Sequence, residues 1–77
     1  MQEHQGLPVE GYRPQSNDSV EQVNHNKRME EAVLQRLDEL MNFMDVDKRW
    51  LAIGRTHIEE GFMAINRSIF KPQRVKL

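Results

Sequence analysis

The chain has 77 residues, 38% hydrophobic and 30% charged, with one Trp, one Tyr, three Phe, no Cys and a net charge of −1. That is room for one small domain, too short and polar to bury a two-sided core readily by itself, and without Cys both disulfide stapling and the usual zinc folds are excluded. The charge is split, with ten acidic residues against four basic ones in residues 1–47 and seven basic against Glu59 and Glu60 in residues 48–77, a pattern that favours self-pairing and leaves no expectation of DNA or RNA polymer binding.

Residues 1–15 carry Gly6, Pro8, Gly11 and Pro14 with little periodicity and read as an extended arm. Met1 to Gly6 lack the basic-then-apolar pattern of a signal peptide, and no apolar run approaches the roughly 20 residues of a membrane span. A cytoplasmic protein with no membrane partner is expected.

Ser16 suits a helix N-cap, and Asp18 and Glu21 come next, where the helix dipole favours negative charge. From Val20 the spacing alternates three and four through Val23, Lys27, Glu30, Leu34, Leu37, Met41 and Met44, flanked by Val33 and Leu40. This heptad-like stripe predicts an amphipathic helix over about residues 17–43, roughly 40 Å long.

Asp45-Val46-Asp47 interrupts the stripe, and either Asp can cap a second helix. That helix is predicted from about Lys48 to Phe70, stopping before Pro72 because the residue preceding a proline is pushed out of the α region. Its stripe uses Trp50, Leu51, Ile58, Phe62, Ile65 and Ile69, and Gly54, Gly61 and Ser68 recur every seven residues beside it. Glycine costs about 1 kcal/mol in a helix interior, so two of them suggest close approach by another backbone. The short connection makes the pair an antiparallel hairpin. The expected fold is therefore all-α: an arm over residues 1–15, a helical hairpin over 16–72 and a basic tail over 73–77. Several hairpins should assemble, because one alone leaves Trp50, Phe62 and Phe70 wet.

Catalytic signatures are missing: the sequence has no glycine-rich phosphate loop, nucleophile elbow or Cys nucleophile, so neither an enzyme nor a cofactor is expected. His57 and Glu60, three residues apart, could face one metal ion, but a carboxylate-bridged site needs more ligands than Glu30, Glu31 and Asp38 suggest. No metal site is expected, and His4 and His25 read as solvated. Two residues stand out. Lys27 interrupts the apolar stripe, either as a polar residue that sets register or as a point charge for phosphate. Tyr12, the sole tyrosine, is either an arm aromatic packed on the helices or a face that stacks on a nucleobase.

The segments Gly11-Tyr12-Arg13-Pro14 and Arg49-Trp50-Leu51-Ala52-Ile53-Gly54-Arg55-Thr56-His57, and beyond them Gly61-Phe62-Met63-Ala64, resemble the small phage anti-CBASS sponge proteins. Those share a helical-hairpin domain with the phage anti-Thoeris sponges. The resemblance covers residues 11–72 and departs from the commoner pattern at Gly54, where an Ala usually precedes the Arg-Thr pair. It implies a homo-oligomer, a hexamer of hairpins, that binds cyclic oligonucleotide second messengers without cleaving them in the cytoplasm of an infected host. It implies a cyclic-dinucleotide site using Tyr12 and Lys27, with Arg13 and Pro14 beside the tyrosine. A separate cyclic-trinucleotide site would use Arg55 and Thr56. Two other readings stand beside it: a sponge for the cyclic ADP-ribose signal of Thoeris, and a structural or regulatory hairpin oligomer that binds a protein.

Overall fold

The computed structural model describes residues 15–77. Two helices, α1 (Asn17–Met41) and α2 (Lys48–Phe70), form an antiparallel hairpin, with no strand among the described residues. The predicted arm lies outside the described residues except for Gln15, whose side-chain amide donates to the Phe70 carbonyl at 2.9 Å and ties the start of α1 to the end of α2. Residues 71–77 carry no regular structure and are exposed.

Each helix begins where its cap chemistry dictates. Ser16 is extended (φ −72°, ψ 161°), and its hydroxyl oxygen accepts the Ser19 N–H at 3.1 Å. Asp47 caps α2 in the same way, its Oδ1 accepting the N–H groups of Arg49 at 3.0 Å and Trp50 at 3.1 Å. These bonds satisfy amide groups that have no partner inside the helix. Of the two aspartates in the linker, Asp47 is the one that caps.

α1 ends at Met41, two residues before the expected boundary. The N–H groups of Asn42 and Phe43 turn back to Glu39 and Leu40 in tighter three-residue steps. The Lys48 ammonium then donates to the carbonyls of Met41 and Phe43, the latter at 2.9 Å. A cation on the C-terminal carbonyls of one helix, supplied by the first residue of the next, closes the turn.

Between the helices the seam differs from the predicted stripe in a specific way. Val23 is the one buried residue among those described, at 3% exposure. Around it Val20, Asn26, Glu30, Val33, Leu34, Leu37 and Leu40 of α1 are half-buried, as are Leu51, Arg55, Ile58, Phe62, Asn66 and Ile69 of α2. Lys27 is exposed, and Asn26 takes the inward place that the stripe assigns to the lysine. A half-buried ammonium would lose hydration, whereas Asn26 finds a partner: its Nδ2 donates to Asn66 Oδ1 at 3.0 Å. Trp50 and Ile65, expected in the stripe, are 63% and 50% exposed. One partner helix cannot cover a stripe that wide.

Gly54 and Gly61 have open space where a Cβ would stand. The close approach expected there is therefore not made within the hairpin. Along α2 these glycines share one exposed flank, at helical spacing, with Trp50, Ile65 and Ser68.

Lys71 ends α2 in the left-handed region (φ 47°, ψ 58°), its N–H donating to the Arg67 carbonyl at 2.7 Å. Pro72 comes next and cannot continue the helix. A side chain with a Cβ is strained in this conformation, and glycine is not. Replacing Lys71 by Gly is thus expected to raise the unfolding free energy by about 1 kcal/mol, measured as an increase in the urea midpoint.

Candidate functional site

Lys27 stands exposed on α1, one residue beyond the inward-facing Asn26, with no ion-pair partner among the described residues. Its neighbour Asn26 points inward and donates to Asn66 Oδ1, which leaves the Lys27 cation on the hairpin surface. Tyr12, Arg13 and Pro14, the other residues of the expected dinucleotide site, lie outside the described residues.

On the outer face of α1, opposite the seam, Glu21, Gln22, Asn24, His25 and Arg28 line an open groove of about 570 Å³. All five of these described lining residues are polar or charged and come from α1. From the sequence His25 reads as merely solvated, and the groove is missed. The signal available was the spacing of Glu21, His25 and Arg28 on one face at four and three residues.

Arg55 occupies a different position. It is half-buried at the seam and bridges the helices: a guanidinium nitrogen lies 2.8 Å from Asp38 Oδ1, and Nε lies 3.9 Å from Glu59 Oε2. The hydrogen bond with Asp38 raises its pKa above the usual arginine value, opposed by partial desolvation and helped by the charges of Asp38, Glu59 and Glu31. Arg55 thus carries a fixed positive charge already engaged by acids. Thr56 is exposed, and its hydroxyl donates to the Ala52 carbonyl at 3.2 Å, within its own helix.

The structure therefore places Lys27 and Arg55 apart along the hairpin. Asp38, which holds Arg55, lies eleven residues beyond Lys27 in the sequence, about 16 Å of helical rise. One hairpin does not bring Lys27 and Arg55 to a common pocket.

Two further exposed pairs are local, and in the first Arg36 lies 3.3 Å from Glu39. His57 Nδ1 lies 3.7 Å from Glu60 Oε1, with both side chains well exposed. Among the described residues no group of three His, Asp or Glu is arranged to hold a metal ion. None of the described helices is long and apolar enough to cross a membrane. At the turn end, Met41, Phe43, Met44 and Trp50 are all exposed, and the Arg49 guanidinium lies 5.7 Å from the centre of the Trp50 ring.

Two antiparallel helices that leave both polar and apolar outer faces open define a small helical-hairpin domain. A family model described as Acb2/Tad1, hairpin domain, matches residues 5–70, and the chain belongs to that family. The family comprises sponge-type proteins that bind signalling molecules and are not known as enzymes. The resemblance read from the three sequence segments is thus to the family to which the chain belongs. No curated protein and no solved structure matches it.

The Arg55–Asp38 pair is exposed enough for solvent ions to screen it. Asp38→Asn is expected to lower the melting temperature slightly in dilute buffer and not at all in 1 M salt. Scanning calorimetry at the two ionic strengths checks this.

Proposed function

We propose that the chain is a non-catalytic sponge for cyclic oligonucleotide signals, with cyclic dinucleotides as its first ligands. The observation that carries this reading is the family match over residues 5–70, which spans Tyr12, Lys27 and both helices. Lys27 adds physical support, since an exposed ammonium without an acidic partner is available to a phosphate. Tyr12 supplies the complementary chemistry, because an aromatic face stacks on a nucleobase whatever its identity. Arg13 and Pro14 flank that stacking residue.

Assembly into a homo-oligomer belongs to the same proposal. A cyclic dinucleotide has two bases and two phosphates related by a two-fold axis. A two-fold contact between chains presents each side chain twice, so one Tyr and one Lys per chain become two lids and two cations. The exposed flank of Trp50, Gly54, Gly61, Ile65 and Ser68 suits such a contact, because its small residues admit a second helix and its large ones need cover. Arg55 and Thr56 are proposed for cyclic trinucleotides at a separate site, around a three-fold axis of a hexamer. There the ligand's phosphates would compete with Asp38 for the guanidinium.

A sponge works by tight binding and slow release, with no need for bond chemistry. Its effect in an infected cell would be to deprive the host's antiphage effector of its activator. The family description joins two names, and this favours one second reading: a cyclic ADP-ribose signal as ligand.

Calorimetric titration with a panel of cyclic dinucleotides, cyclic trinucleotides and cyclic ADP-ribose tests these assignments. Tyr12→Ala is expected to weaken dinucleotide binding by roughly 5- to 150-fold, the range of a lost base stack, and Lys27→Ala to weaken it as well. The oligomeric mass should be unchanged and the released nucleotide intact. Wild-type affinity in both variants removes the site assignment. If no ligand raises the melting temperature, the protein is instead a hairpin scaffold for another protein.

Gly54→Ala with Gly61→Ala tests the assembly. The pair improves intrinsic helix propensity by about 1 kcal/mol per site, yet is expected to lower the native mass by obstructing the contact between copies. An unchanged mass with a higher melting temperature returns both glycines to an open face.

A further inference from the structure

Among the described residues, two hydrogen bonds between one side chain and another join α1 to α2: Asn26 to Asn66, and Arg55 to Asp38. They differ in what they can specify. The apolar part of the seam, Val23, Val33, Leu34, Leu37 and Leu40 against Leu51, Ile58, Phe62 and Ile69, is non-directional, because one aliphatic contact replaces another when a helix slides by a heptad. The ion pair does not discriminate against one of the two slips. Glu31 stands seven residues before Asp38 on α1, so a heptad slip in that direction offers Arg55 another carboxylate.

The asparagines behave otherwise. In one slip Asn66 would meet Val33 while Asn26 passed the end of α2. In the other Asn66 would meet Ser19 and Asn26 would meet Glu59, so neither amide would keep its amide partner. Only the observed register pairs the two half-buried amides with each other. A polar pair inside an apolar seam is the best-attested way to fix helix register.

We propose that Asn26 and Asn66 are the positioning pair that sets α1 against α2, and with it the place of Lys27. The second clause rests on the role proposed above for Lys27. A heptad slip would carry Lys27 about 10 Å along α2, away from any pocket to which α2 or another copy contributes. The six-residue turn between the helices resists sliding within one chain. It does not resist it when α1 of one copy pairs with α2 of another, and there the asparagines discriminate most.

The test uses the full ¹⁵N-labelled chain. Wild type should give one set of backbone amide signals and a nuclear Overhauser contact between the Asn26 and Asn66 side-chain amides. Asn26→Leu with Asn66→Leu should keep its helicity but show several sets of signals, or broadened ones, and bind cyclic dinucleotides about tenfold more weakly. Asn66→Asp retains the acceptor oxygen and should restore a single set and the affinity. A double-leucine variant with one sharp set and unperturbed signals away from positions 26 and 66 overturns the proposal, whatever its affinity. Several registers with unchanged affinity overturn the link to Lys27. If the double-leucine variant does not fold, Asn66→Asp decides the matter: several sets in that variant also overturn it. If wild type binds no cyclic nucleotide, the sponge reading fails, while the spectra still decide the register.

Discussion

Two helices lying side by side share one interface, so each can cover only the face it turns toward the other. In this chain that limit is reached at once, with Val23 buried and the rest of the seam half-covered. A seam so thin holds few apolar contacts, and its stability leans on local devices at the ends of the helices. The Ser16 and Asp47 caps, the Lys48 ammonium on two α1 carbonyls and the Gln15 amide on Phe70 are those devices. Each satisfies backbone groups that a larger protein would cover with neighbouring elements.

The same limit shapes the surface. A helix with apolar residues on more than one face, packed against one partner, leaves the remainder in water. Trp50, Ile65, Met63 and the turn residues Phe43 and Met44 are exposed for this reason. In the proposed assembly, the faces that a single hairpin cannot cover are what a second copy uses, and ligand sites form where copies meet. Small size then becomes part of how the protein works. A larger self-sufficient core would leave fewer such faces.

Much of the fold was legible in the sequence because helix boundaries are set by nearby residues. Ser16 before Asp18, Asp47 before a run of helix formers, and Pro72 after Lys71 each act within one turn of the chain. The family was legible as well, through three segments, one in the arm and two in α2, whose order and spacing agree across both halves of the chain. The inner face of α1 was less so. Residues 26 and 27 lie about 100° apart on the helical wheel, one on either flank of Val23, and a stripe through Val20 and Val23 can continue through either. Hydrophobicity does not separate an asparagine from a lysine, and the hydrogen-bond partner that does lies forty residues away in Asn66. Arg55 shows the same gap: its acid, Asp38, sits on the other helix, seventeen residues back.

By itself the sequence determined two helices, their limits to within about two residues, the presence of a short turn between them and the family to which they belong, since these rest on contacts of short sequence range and on local patterns. Tertiary structure alone decided which stripe of each helix faces inward, that Asn26 rather than Lys27 joins the seam, and that Gly54 and Gly61 stand open. The physical reason is that a helix offers several overlapping faces with similar apolar content. Only the partner across the interface, by accepting a hydrogen bond at one register and leaving a charge in water beside it, chooses among them.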